Sequence, residues 1–178
     1  RTLEVGCGEG RAGRMLLDRG HDLTALDLVP ALVRHAADAD ARPAYAIASG
    51  TRLPFADATF DAVVSYNVLQ AMTGANDMRD AIAEAARVLV PGGKLCISVT
   101  HPFSDFMLVH EAGGDDTGAP SYFDRSDVNG TVTKGGIAMT FYGRTHTLAD
   151  YANALEAAGL RIERIAEPVP AVDPAAAG

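Results

Sequence analysis

Three glycines in five positions, Gly6-Cys7-Gly8-Glu9-Gly10, stand between an apolar run at residues 2 to 5 and a helix-like pattern carrying Met15, Leu16 and Leu17. A backbone without side chains can turn tightly there and admit a ligand, and the start of the following helix offers unpaired N–H groups to an anion. Gly8, Gly10 and Gly13 also satisfy G-x-G-x-x-G, and Asp27 lies 27 − 8 = 19 residues beyond Gly8. A carboxylate so placed can accept hydrogen bonds from a ribose diol, each worth about 1.5–3 kcal/mol because the acceptor is charged. Together these residues suit a nucleotide-type cofactor, and a nicotinamide or flavin dinucleotide stays open at this point. Two histidines, His101 in Thr100-His101-Pro102-Phe103 and His146 in Gly143-Arg144-Thr145-His146, can serve as a general base. Each also has a structural role within reach, His101 in fixing the loop after it and His146 in ordering the first turn of a helix. Tyr122, Tyr142 and Arg144 can shape a substrate pocket. No His, Cys or acidic trio has metal-ligand spacing, and the serine elbow G-x-S-x-G is missing.

The elements that position these groups follow from periodicity. Residues 2 to 5, Leu23 to Leu26, Ala44 to Ala48 and Phe60 to Ser65 read as strands, the last rich in β-branched residues. Helical patterns follow the first two, with Pro30 suited to an early helical position and Pro30 to Ala37 forming the second helix. Met78, Ile82, Ala85 and Leu89 give residues 77 to 90 an amphipathic period, Pro91-Gly92-Gly93 forms a turn, and Lys94 to Thr100 is a fifth strand. Strands alternating with helices predict an α/β, doubly wound, mostly parallel sheet with helices on both faces and a ligand crevice beyond the strands' carboxyl ends. Residues 102 to 144 break the pattern, as a lid over the site does, with a hairpin at 131 to 142 around Lys134-Gly135-Gly136. Leu148 to Ala158 is a helix ended by Gly159, Leu160 to Ala166 a last strand, and 168 to 178 a flexible tail.

With 178 residues the chain is expected to form one domain, residues 1–178. Its 23 acidic against 15 basic residues give a net charge of −8, which opposes binding to nucleic acid by counterion release and to anionic membranes. No apolar run approaches the roughly 18 residues of a membrane span, and no export signal opens the chain, so a cytoplasmic protein is expected. Cys7 and Cys96 are expected as reduced thiols, Cys96 packed as a small buried hydrophobe. The chain starts at Arg1, on a strand pattern, as a fragment or a processed chain does.

The run Leu53-Pro54-Phe55-Ala56-Asp57-Ala58-Thr59-Phe60-Asp61-Ala62-Val63-Val64-Ser65, followed by Arg87-Val88-Leu89-Val90-Pro91-Gly92-Gly93-Lys94-Leu95, resembles the class I S-adenosylmethionine-dependent methyltransferases, most closely their small-molecule branch. Leu3-Glu4-Val5-Gly6-Cys7-Gly8-Glu9-Gly10 matches their first motif, and the likeness covers residues 2 to about 100. It implies a Rossmann-like fold and methyl transfer from S-adenosylmethionine to an O, N or C nucleophile of a small-molecule acceptor. It further implies that Gly6, Cys7 and Gly8 line the methionine part of the cofactor, with Gly10 closing the motif and Glu4 near the amino group. By the same likeness Asp27 holds the ribose hydroxyls, Leu28 packs on adenine, and the backbone around Ser65 and Tyr66 closes the pocket. Glu9 points to solvent.

The sequence departs from the family in places. Many relatives carry an acid toward the adenine amino group where this chain has Ala48-Ser49-Gly50-Thr51, so neutral Ser49 is expected to accept that bond more weakly, beside Gly50 and Thr51. No strand-like run follows residue 166 to pair antiparallel with the fifth strand, which leaves a truncated chain or residues 131 to 142 at that edge. Two other readings follow: an NAD(P)-dependent oxidoreductase, resting on Gly8, Gly10, Gly13 and Asp27 alone, and a catalytically inactive S-adenosylmethionine-binding domain, for which the shortened ends and Ser49 speak. The acceptor and the oligomeric state are not legible.

Overall fold

The computed structural model describes residues 1–103, 122–123, 125, 127–134 and 137–168. The five apolar runs become β1 (Thr2–Val5), β2 (Leu23–Asp27), β3 (Ala44–Ile47), β4 (Phe60–Tyr66) and β5 (Leu89–Ser98), hydrogen-bonded in the order β3-β2-β1-β4-β5 with every pair parallel. All four residues of β1 are buried, as a central strand covered on both faces requires. The chain runs outward from β1 to β3 and returns as β4 on the other side of β1. Loops leaving the carboxyl ends part at that reversal and open a crevice.

Side chains alternate across the sheet, and the alternation along β1 assigns the helices. Leu3 and Val5 face one way and pack with Val63, Ala85 and Val88, the last two from α3 (Asp77–Val88). Glu4 faces the other way, toward α1 (Arg11–Leu17), where a Cβ on Gly13 would lie 2.6 Å from Glu4 Oε2. The third glycine of the triplet therefore makes room between helix and strand. α2 (Pro30–Ala39), with Pro30 in its first turn, meets α1 where a Cβ on Gly10 would approach that of Ala36 to 3.2 Å. Helices thus cover both faces, as the periodicity predicts.

No helix links β3 to β4. The segment is fixed to α3 instead: Leu53 N donates to Glu84 Oε2 at 2.7 Å, and Arg87 donates to the carbonyls of Leu53 and Phe55 at 3.2 and 2.9 Å. Glu84, Asp57 and Arg87 are ion-paired around it. The two motifs that carry the family likeness beyond the glycines are therefore one staple of the framework.

A short 3-10 turn, Leu69–Ala71, leads from β4 toward α3. Beyond the sheet, β6 (Asp127–Lys134) and β7 (Ile137–Arg144) form an antiparallel hairpin with Lys134 opposite Ile137, where the sequence placed its turn. α4 (Leu148–Ala157) begins with a capping box between Thr147 and Asp150 and ends before Gly159 in the left-handed region. Tyr151 and Ala154 of α4 pack with Met78 and Ile82 of α3 in a second apolar cluster.

Four expectations are corrected. The turn at Pro91-Gly92-Gly93 does not precede β5 but bulges within it: Leu89 pairs with Phe60, the register then shifts, and Lys94 pairs with Ala62, with Gly92 at φ 81°. The hairpin does not fill the edge beside β5; it forms its own two-stranded sheet. Leu160 to Ala166 joins no ladder: Leu160 packs on the second apolar cluster, while Ile162 and Ile165 are both exposed. Cys96 is exposed, on the face of β5 opposite Leu95 and Ile97, which pack against the two apolar clusters. Cys7 and Cys96 are both free thiols. Most of the expected lid, and the tail after residue 168, lie outside the described residues. Among the described residues no helix is long and apolar enough to cross a membrane.

Candidate functional site

A cavity of about 1020 Å³ opens at the reversal between β1 and β4, at the top of the ~300–1,000 Å³ usual for small-ligand sites. Its floor is the glycine bend. Gly6 and Gly8 take φ of 77° and 51°, and a Cβ on Gly6 would lie 2.2 Å from Cγ2 of Val68, in the loop leaving β4. Only glycine meets both demands, the left-handed backbone and the close approach. The bend is clasped by Asp27: Oδ2 accepts from Gly8 N at 2.9 Å and Oδ1 from Val29 N at 2.9 Å. One acid at the end of β2 thus sets the relative position of two loops and still presents lone pairs to the cavity.

Glu4 is the unusual group. It is 1% exposed in the middle of β1, and its Oε2 is buried with no hydrogen-bond partner among the described residues. Burial pushes its carboxyl up to about 7, against the opposing influence of the Gly13 amide and the Arg14 charge. Cys7 is buried beside it, and burial, with Glu4 and Asp27 nearby, pushes the thiol up to about 12, so it stays protonated. Glu9 is exposed, as expected.

The cavity's other walls include Leu28, 66% exposed, the stretch Ser49-Gly50-Thr51 after β3, and Tyr66 at the end of β4. Ser49 Oγ is engaged locally, 2.8 Å from Thr51 Oγ1 and accepting from Thr51 N. Gly50 fits closely, since a Cβ there would meet Val5 and Met72. Of the cofactor residues named from the sequence, the cavity brings together Glu4, Gly6, Cys7, Gly8, Asp27, Leu28, Ser49, Gly50, Thr51 and Tyr66. Gly10 and Ser65 are not on its lining. Gly10 caps α1 against α2, and Ser65, buried with its hydroxyl unpartnered among the described residues, stands one position off the face that Val64 and Tyr66 present.

None of the acceptor-side candidates lines this cavity. His101 lies in the loop after β5, where its Nδ1 accepts from Phe103 N and its Nε2 lies 3.3 Å from Glu167. His146 is buried edge-on to Tyr151, and burial holds its imidazole below its usual range, hence neutral at pH 7. The cap of α4 is built by Thr147 and Asp150 instead. Tyr122 accepts from Leu148 N through its hydroxyl, Arg144 pairs with Asp127, and Tyr142 is exposed. Residues that the sequence did not single out do reach the cavity: Arg11 and Met15 of α1, Asn67 and Val68 after β4, and Met72. Arg11 and Met15 share one helical face, a signal that the periodicity of α1 carried.

The family model for the methyltransferase domain matches residues 3–97. Malonyl-[acyl-carrier protein] O-methyltransferase of Salmonella typhimurium is 37% identical over 92 residues, 52% of this chain and 36% of that protein. The 27-O-demethylrifamycin SV methyltransferase of Amycolatopsis mediterranei is 32% identical over 170 residues, 92% of this chain and 54% of that protein. The chain thus spans between about a third and about half the length of these relatives. Among solved structures, an S-adenosylmethionine-dependent methyltransferase from Clostridium acetobutylicum shares the fold with a TM-score of 0.71 at 14% identity, over 92% of this chain and 74% of that one.

Proposed function

The chain belongs to the methyltransferase-domain family, and from that premise we propose that residues 1–178 form one S-adenosylmethionine-binding domain that transfers a methyl group to an O, N or C nucleophile of a small-molecule acceptor. One observation carries the reading: a single cavity at the strand reversal presents Glu4, the Gly6–Gly8 bend and Asp27 together. The residues fit the cofactor. The buried carboxylate of Glu4 lacks a cationic partner and suits an ammonium, the bend leaves open space beside Gly8, and Asp27 keeps lone pairs for a diol. When bound, S-adenosylmethionine supplies an electrophilic methyl group, so no covalent nucleophile is required of the protein.

The chain's own residues bind and orient. Glu4 holds the amino group, Asp27 the ribose hydroxyls, and exposed Leu28 covers adenine, while Tyr66 bounds the opposite side. Alignment of two reactants in one cavity can lower the barrier by up to ~7–11 kcal/mol. The Salmonella relative is an O-methyltransferase of malonyl-[acyl-carrier protein], which favours oxygen among the three nucleophiles. A nicotinamide site gains no support from the relatives.

Thermal melts separate the readings. S-adenosylhomocysteine at ~100 times its Kd is expected to add about 2.7 kcal/mol of stability and NADH nothing; the reverse result sinks the proposal. A second expectation concerns Ser49. Replacing it by Asp puts a charged acceptor in place of a neutral one, roughly doubling the bond's strength, so Ser49→Asp is expected to tighten S-adenosylhomocysteine binding by about three- to tenfold in calorimetry. Weaker binding would show that this wall does not meet the adenine amino group.

A further inference from the structure

Among the described residues two non-glycines take positive φ, Ala58 in the β3–β4 segment and Asn67 directly after β4, and of the two Asn67 (φ 56°) lines the cavity. A left-handed backbone costs an L-residue, asparagine less than most, and persists where the surroundings over-determine it, often at binding sites. The surroundings do so here: Asn67 N donates to Ser98 O at 2.8 Å, which continues the β4–β5 pairing one step beyond the strand. Glycine would meet the backbone demand with less strain, so what asparagine adds is its carboxamide. That side chain is exposed and makes no side-chain hydrogen bond among the described residues.

The order of the strands gives the cavity a direction. Under the reading above, β2 serves the sugar and β1 the amino-acid part of the cofactor. β4, on the far side of β1 from β2, is the wall left for the acceptor. Tyr66 and Asn67 are the polar residues that β4 and its following step add to that wall, with Thr73 and Asp77 further along the chain. We propose that Asn67 is a specificity-determining residue that receives a hydroxyl or amine acceptor, its Oδ1 accepting the acceptor's O–H or N–H and so turning a lone pair toward the methyl group. A carboxamide cannot take the proton, so its part is orientation and selection. The acceptor's lone pair forms the new C–O or C–N bond, sulfur keeps the pair of the bond that breaks, and the proton passes to water.

The inference rests on the proposed function, and the experiment keeps the two apart. The full chain and its Asn67→Gly variant are compared by melting, by calorimetry with S-adenosylhomocysteine, and by formation of that product from S-adenosylmethionine with phenol, benzyl alcohol, a malonyl thioester and phenethylamine as acceptors. The variant is expected to melt at or above the wild type, to bind S-adenosylhomocysteine within about twofold, and to lose roughly tenfold or more in kcat/KM, the worth of one hydrogen bond made to the reacting group. Transfer that survives in Asn67→Gly overturns the inference alone. Wild-type protein that binds S-adenosylhomocysteine but uses the malonyl thioester only, which offers no hydroxyl or amine, or uses none of the four, overturns it too. Wild-type protein that binds no S-adenosylhomocysteine overturns the reading beneath it.

Discussion

Asp27→Ala is expected to weaken S-adenosylhomocysteine binding by about 10²- to 10⁴-fold, the worth of two charge-assisted bonds to a diol at ~1.5–3 kcal/mol each. The same change removes the two main-chain bonds that tie Gly8 and Val29 to this side chain, so part of the loss comes from a glycine bend no longer held in place. Asp27→Asn separates the effects. A carboxamide can keep one of the two main-chain bonds through its oxygen while turning a donor toward the other, and it keeps the volume. If Asp27→Asn binds as tightly as wild type in calorimetry, the negative charge adds nothing to cofactor binding and the assignment of the ribose to the carboxylate is wrong.

The contribution of Glu4 to the stability of the unliganded protein is expected to fall as pH rises from about 4.5 to about 7, the opposite of an ordinary salt-bridged acid, while buried His146 contributes in the other sense below its usual range. The folded-state pKa of Glu4 is raised, so its protonated form is the one that folding favours. Below about 4.5 the group is protonated in both states and the full stability is present; through about 7 the folded protein must ionise a buried carboxyl, at a cost of order 3 kcal/mol. Above that the cost is constant. Glu4→Gln is expected to flatten this part of the profile and to be the more stable protein at pH 8, measured by melts at pH 5, 7 and 8. A bound ammonium favours the ionised form, so S-adenosylhomocysteine binding to the wild type is expected to strengthen as pH rises through about 7. Equal slopes for wild type and Glu4→Gln would place the pH dependence elsewhere.

The frame was legible because its signals are local. Strand, glycine bend and helix occur in unbroken order, and Pro30 and Gly159 mark helix ends by backbone chemistry that tertiary contacts do not override. Asp27 was legible because its position at a strand end fixes its direction. Leu160 to Ala166 was not, since composition looked extended while Ile162 and Ile165 are both left exposed and find no partner strand among the described residues. The cavity's far wall was hidden for another reason: Asn67 and Val68 matter through a backbone angle and through the emptiness at Gly6, sixty-two positions away, and neither leaves a mark in residue type. His101 and His146, named from the sequence as bases, lie outside this cavity. His101 accepts from Phe103 N in the loop after β5, and His146 packs against the ring of Tyr151.

The staple between residues 53–59 and α3 bears on the order in which the molecule assembles. Besides the side-chain bonds, the amides of Ala58 and Thr59 donate to the carbonyls of Arg87 and Val88, so this stretch draws its main-chain partners from sequence made some thirty residues later. It has no crossover helix that could form by itself, and it closes a loop before gaining contacts. The entry to β4 therefore gains these partners only once α3 is in place, and central β1 is completed only when β4 joins it.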